Sequence, residues 1–132
     1  MGPFTPEAYG GFEYVSNITD QFTRWTAIYL LEDKSCALDS FHLSVTLTII
    51  PCGGRVIRWY TDKGGENTSE AFKQYCLETR ITQEFTATNT PQQIGVSERV
   101  GQTLCSIACC LLVDNGLPPK LWPELMLTAA YI

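Results

Sequence analysis

A chain of 132 residues is long enough for one domain around a single buried core and too short for several. Its charged fraction of 17% lies below the roughly 25% of an average soluble protein. The net charge of −5 excludes a general electrostatic grip on a phosphate backbone, which needs clustered Lys and Arg. Met1 to Gly11 has neither the positive start nor the apolar run of a secretory signal, and the Met-Gly start lacks the Ser or Thr that myristoylation prefers. No apolar stretch approaches the ~18 residues of a membrane span, so the expectation is an intracellular protein with no membrane partner and no small-molecule substrate.

The elements follow in chain order. Phe12 to Ile18 and Trp25 to Leu31 are apolar and aromatic runs separated by T-D-Q-F-T-R, which predicts an antiparallel hairpin. Lys34 to Thr48 spaces Ala37, Leu38, Phe41 and Val45 by three and four, the face of a helix, with Asp33 or Ser35 able to cap it. Its second half, V-T-L-T-I-I, has strand preference and conflicts with that helix. Pro51 to Gly54 breaks the chain, and Val56 to Thr61 reads as a buried strand ending at Asp62. Ser69 to Glu78 reads as a helix capped by Ser69, with Phe72, Tyr75 and Cys76 on one side, and Ile81 to Thr86 as another strand.

Thr88 to Gly95 is polar, with a proline and a glycine, and reads as a loop. Ser97 begins the longest predicted helix, whose core stripe is Val100, Leu104, Ile107, Ala108 and Leu111 and whose end is Asn115-Gly116. Leu121 to Ile132, after Pro118-Pro119, reads as a last helix. The order of strands and helices is a mixed α/β one. The six cysteines, Cys36, Cys52, Cys76, Cys105, Cys109 and Cys110, form no C-x-x-C pair and read as buried free thiols. Trp25, Trp59 and Trp122 read as core residues, His42 as a surface or partly buried one, and Arg55, Arg58 and Lys63 as a small basic patch.

Two acidic residues stand in contexts that suit a site. Asp62 falls where an apolar strand meets a glycine turn, W-Y-T-D-K-G-G-E, and Glu98 lies in T-P-Q-Q-I-G-V-S-E-R, with 35 residues between them. Taken singly, Asp62 is a turn aspartate and Glu98 a helix-start acid stabilised by the helix dipole. Together the two contexts resemble the catalytic core of retroviral-type integrases, most closely the copia-type retrotransposon branch, with S-D-N-G-G-E and T-P-Q-Q-N-G-V-A-E-R. The resemblance continues through Gly2-Pro3, the Gly10-Gly11 turn, I-T-D-Q-F-T-R-W at Ile18 to Trp25 and G-L-P-P-K-L-W-P-E at Gly116 to Glu124. It covers nearly the whole chain.

That resemblance implies a ribonuclease-H-like α/β fold, a five-stranded mixed sheet flanked by helices, in one domain spanning 1–132. It implies DNA strand transfer with two Mg²⁺ (or Mn²⁺) ions held by three carboxylates, two of them Asp62 and Glu98. Nucleic-acid contacts would fall to Lys63, Gln93 and Gln102, the partners would be element and target DNA and a second copy of the chain, and a working integrase would act in the nucleus. Four strands are countable here. The family's first and central strand would precede Gly2, and its aspartate, in a D-x-x-G-P context, would lie two residues before Met1, so the domain reads as incomplete at its N-terminus. Without that carboxylate two-metal catalysis is not expected of the chain as given, and Asp20, Glu13 and Glu7 are poorly placed to substitute.

Other departures point the same way. Lys63 replaces an Asn beside Asp62, Ile94 an Asn, Gln102 an Arg, and Gly101 an Asn in the helix. The alternative readings are a decayed or domesticated integrase remnant acting as an interaction or dimerisation module, and a nucleic-acid-binding domain without chemistry.

Overall fold

The computed structural model describes residues 1–85 and 91–132, with the side chains of residues 91–94 outside the description. Strands β1 (Tyr14–Thr19) and β2 (Thr26–Leu31) pair antiparallel, with Tyr14 opposite Leu31 and Thr19 opposite Thr26. They form the predicted hairpin. Helix α1 (Ala37–Ser44) follows a 3-10 turn at Lys34–Cys36 and runs into a π turn at Val45–Ile49. Then come β3 (Arg58–Thr61), α2 (Glu70–Glu78), β4 (Thr82–Phe85), α3 (Pro91–Asp114) and, after a 3-10 turn at Pro119–Leu121, α4 (Trp122–Tyr131).

The chain divides into two compact units, residues 1–34 with 96–132, and residues 35–95. In the first, Val15 of β1 packs with Leu104 and Ala108 of α3 and with Trp122, Leu125, Met126 and Ala129 of α4. The expected stripe on α3 is therefore the core face, with Val100, Ile107 and Leu111 at its margins. Phe4 stacks on Trp122 at 4.6 Å between centroids, and the Trp122 indole N–H donates to the Pro6 carbonyl (3.2 Å), which ties the N-terminal segment to α4. Met1 to Phe4 also runs along the edge of β1 away from β2. The Val15 and Phe4 amides donate to Met1 and Glu13 carbonyls at 2.9 and 2.8 Å, and the Met1 amine donates to Val15 O at 2.6 Å.

In the second unit β3 and β4 pair in parallel, Arg58 opposite Thr82 and Thr61 opposite Phe85. The core is aromatic: Phe41 of α1 lies 4.1 Å from Trp59 and 5.5 Å from Phe72, and Tyr75 meets Phe41 edge-on. Ser69 caps α2 as expected, its hydroxyl accepting from the Phe72 amide (3.3 Å). Burial raises the pKa of the Tyr75 phenol and of the Cys76 thiol.

Several expectations are corrected. The four described strands match the number counted in the sequence, but they pair as two two-stranded sheets and not as one mixed sheet. The strand-prone Val45 to Ile49 stays helical as a π turn, because Val45 and the adjoining Phe41 face the aromatic core. The N-cap of α1 is Cys36, with no side-chain capping bond, because a 3-10 turn intervenes between Asp33 or Ser35 and the helix. Helix α3 begins at Pro91, six residues before Ser97, with proline in the first position that suits it; Thr88 to Thr90 lie outside the described residues. Trp25 is 42% exposed at the hairpin turn, whereas Trp122 is buried and Trp59 half-buried. Cys52, Cys109 and Cys110 are exposed, and only Cys76 of the six thiols is buried.

One further expectation changes. Among the described residues one helix, Gly95–Asp114, is long and apolar enough to cross a membrane, with a mean hydropathy of 1.3. Its composition is that of a helix carrying a core face on one side, with Gln102, Thr103, Ser106 and Asp114 exposed on the other.

Candidate active site

Asp62 directly follows β3, and two N–H donors hold it. Its Oδ1 accepts from the Gly64 amide (3.0 Å) in a local turn of the kind short acidic side chains form, and from the Asn67 side-chain amide (2.9 Å). Asn67 is in turn anchored from β4, where Gln83 Nε2 donates to the Asn67 carbonyl at 2.6 Å. The second oxygen, Oδ2, takes no hydrogen bond from the described residues. The side chain is exposed, and Lys63 beside it is exposed too. Glu66 folds its carboxylate back over Gly64, where a Cβ would stand 2.8 Å from Oε2. Asn67, Gln83 and Glu66 were not singled out in the sequence; the polar, turn-prone G-G-E-N-T was the one available sign.

Glu98 belongs to the first unit, whereas Asp62 belongs to the second. It lies two turns inside α3, beyond the first turn where the helix dipole acts, because the helix starts at Pro91. Its neighbour Ser97 is tied to β1: Asn17 Nδ2 donates to the Ser97 carbonyl at 2.8 Å. One turn on, Gly101 is buried, and a Cβ there would stand 2.6 Å from Met1 Sδ and 3.5 Å from Asn17 Nδ2. The glycine that weakens the helix thus lets β1 and the N-terminal segment approach it. Glu98 and Gln102, one turn apart, are both exposed.

The remaining candidates separate. The side chain of Gln93 lies outside the described residues. Arg58 leaves the small basic patch: its guanidinium pKa is raised by a hydrogen bond and charge interaction with Tyr60, and Nε is 3.7 Å from Glu84 across the β3–β4 pair. Asp20 closes the hairpin turn, its Oδ2 accepting from the Thr23 hydroxyl (2.6 Å) and amide (2.8 Å), which lowers its pKa. Glu13 and Glu7 are exposed.

Comparison with known proteins adds ancestry to this geometry. The chain is 33% identical over 131 residues to the retrovirus-related Pol polyprotein from transposon TNT 1-94 of Nicotiana tabacum, covering 99% of this chain and 10% of the polyprotein. It is 28% identical over 121 residues to the Pol polyprotein from transposon RE2 of Arabidopsis thaliana, and 27% over 125 residues to that from transposon RE1 of the same plant, 8% of each polyprotein in both cases. This chain is a relative of copia-type retrotransposon Pol polyproteins. It spans about a tenth of the length of the curated relatives it matches.

Solved structures agree on the fold of this Pol-polyprotein relative. The simian T-cell lymphotropic virus intasome in complex with the PP2A regulatory subunit B56 gamma contains a chain that matches with a TM-score of 0.72 at 20% identity, over 89% of this chain and 40% of that one. The HTLV-2 integrase catalytic core domain in complex with magnesium, in a trimeric form, matches with a TM-score of 0.62 at 16% identity, over 89% of this chain and 79% of that one. The fold is therefore the ribonuclease-H-like α/β fold of integrase cores. The chain matches no family model.

The retrotransposon relative offers the donor chemistry that Mg²⁺ takes, exposed carboxylate oxygens, and in Asp62 one oxygen held by two N–H donors with the other outside them. Its described residues gather no group of three or more metal-ligating side chains. Asp62 and Glu98 are of the chemical type that takes a hard cation, but a single exposed carboxylate beside Lys63 does not by itself make a site for one. What the chain's own residues do is orient Asp62 through Gly64 and Asn67, and steady the helix that carries Glu98 through Asn17.

Proposed function

We propose that residues 1–132 are the integrase core of a copia-type element, a domain for Mg²⁺- or Mn²⁺-dependent DNA strand transfer in the nucleus. Asp62 and Glu98 are two of its three catalytic carboxylates, and Lys63, Gln93 and Gln102 are its DNA-facing side chains. The observation that carries this reading is Asp62 at the exit of a parallel strand, fixed through one oxygen only, in a chain 33% identical to a retrotransposon Pol polyprotein. The third carboxylate of the family set is not found within residues 1–132, and the chain as given is inactive in strand transfer.

The test is an assay joining a donor DNA end to a target, run in Mg²⁺ on the 132-residue chain and on a chain given an N-terminal extension that carries the family's first-strand aspartate. Joining by the extended chain alone, lost in Asp62→Asn and Glu98→Gln, is the expected result. Joining by the 132-residue chain, lost in Glu98→Gln, would overturn its inactivity; no joining by either would overturn the enzymatic reading.

A second reading has its own support in the unit of residues 35–95, where Leu43, Leu47 and Ile50 form an exposed apolar stripe along α1 and its π turn, Leu47 being 68% exposed. In this reading the chain is a remnant that pairs with a second copy. A monomer by sedimentation at micromolar concentration would exclude it.

A further inference from the structure

We infer that the tip of the β1–β2 hairpin, Asp20 to Trp25, is a stacking site for unpaired DNA bases, with Phe22 as its platform, Trp25 as a second aromatic contact and Arg24 as a phosphate contact; the inference rests on the reading of the chain as a domain that acts on DNA. None of the residues Asp20 to Trp25 is buried, and the Phe22 ring is 94% exposed. On a loose turn such a ring would fold back onto the nearest apolar surface. This turn is held. The Asp20 amide donates to the Trp25 carbonyl (2.8 Å), the Arg24 amide to the Asp20 carbonyl (2.9 Å) and the Trp25 amide to the Thr23 hydroxyl (3.2 Å), besides the two bonds from Thr23 to the Asp20 carboxylate. These bonds also hold Arg24 at φ +66°, a left-handed backbone that residues other than glycine seldom adopt.

A preordered turn that keeps a phenyl ring in water spends little entropy when something covers the ring. The size of the apolar area says what that is. One ring set among Asp20, Gln21, Thr23 and Arg24 falls far short of the roughly 800 Å² that each partner of a stable protein interface buries, whereas a nucleobase needs only a ring face. Stacking gains its affinity through the base and not the phosphate, so it works on a chain of net charge −5 that has no general electrostatic grip on DNA. Arg24 adds one local cation: it is exposed and forms no ion pair among the described residues, while the Asp20 carboxylate is turned inward onto Thr23. Because a duplex keeps its base faces stacked on one another, the tip selects single strands and unpaired ends.

The test is binding of fluorescein-labelled oligo(dT) to the 132-residue chain, read by fluorescence anisotropy, with the oligo(dT)·oligo(dA) duplex for comparison and thermal melting recorded for every variant. The single strand is expected to bind at least about tenfold more tightly than the duplex. Phe22→Ala should weaken single-strand binding about tenfold with unchanged melting, because so exposed a ring packs against little. Phe22→Trp keeps a π face and should keep the binding. Arg24→Asn, which tolerates the left-handed backbone and removes the charge, should flatten the slope of log K against log salt by about 0.7, one phosphate of a single strand. The inference is overturned if the chain does not bind oligo(dT), if the duplex binds as tightly, if Phe22→Ala binds as the unaltered chain does, or if its loss follows a fall in melting temperature. Joining of DNA by the extended chain without any binding of oligo(dT) would sink this inference and leave the enzymatic reading, and Phe22-dependent binding without joining would do the reverse.

Discussion

Ser44 shows how much a single buried atom decides. It is fully buried in α1, and its hydroxyl has no hydrogen-bond partner among the described residues; the same holds for the Trp59 indole N–H in the same unit. A buried hydroxyl without a partner costs about 1–3 kcal/mol of desolvation, and alanine is the better helix former. Ser44→Ala should therefore stabilise the protein by about 1 kcal/mol, seen as a higher urea midpoint with an unchanged slope; a lower midpoint would show that the hydroxyl is satisfied in solution. Asp62 and Glu98 became candidates at this scale through their flanking residues. The brace on Asp62 was not legible there, since nothing in the order of residues says that Gln83 of β4 ends beside the Asn67 carbonyl.

At the scale of elements, the seating of α3 on β1 depends on one glycine and one amide. The Asn17 bond to Ser97 and the contacts of Met1 and Asn17 over Gly101 belong to the same junction. Gly101→Leu should cost about 1–3 kcal/mol by overpacking it, and Asn17→Ala about 1 kcal/mol for the lost hydrogen bond. The two losses should not add, because the leucine displaces the amide that the second change removes. Urea denaturation of both single variants and the double one checks this, and full additivity would show the contacts to be independent. The start of α3 at Pro91 illustrates a boundary that residue preferences concealed: T-P-Q-Q-I-G reads as loop, yet its proline occupies the first helical position. In α1 the reverse occurred, and packing of Phe41 and Val45 kept a strand-prone run helical.

For the whole molecule the open question is the edge of β1. Val15 exchanges hydrogen bonds with Met1, so by alternation along an antiparallel strand Asn17 and Thr19 turn their backbone groups to the same side. No strand among the described residues pairs with that side of β1 beyond Met1. An upstream strand in the register set by Met1 would run opposite Asn17 and Thr19, and its residue facing Asn17 would lie near Ser97 and Glu98 on α3. Adding an eight-residue N-terminal segment of strand-forming sequence should slow hydrogen exchange at the Asn17 and Thr19 amides at least about tenfold. Unchanged exchange at both would mean that the edge takes no such strand.

The sequence by itself determined the kinds of element, the hairpin and the core stripe of α3, because each is written in local periodicity or turn chemistry. It also determined kinship with retrotransposon polyproteins, through matched blocks in a conserved order along the chain. Tertiary structure decided what those local signals cannot carry: that Gln83 braces Asn67 and Asn67 braces Asp62, that Gly101 is the seat of Met1 and Asn17, and that the strands stand as one antiparallel and one parallel pair. The physical reason is common to all three. Each depends on residues distant in the chain meeting within hydrogen-bond or van der Waals reach, and such meetings follow from how the elements pack, not from the preferences of the residues that make them.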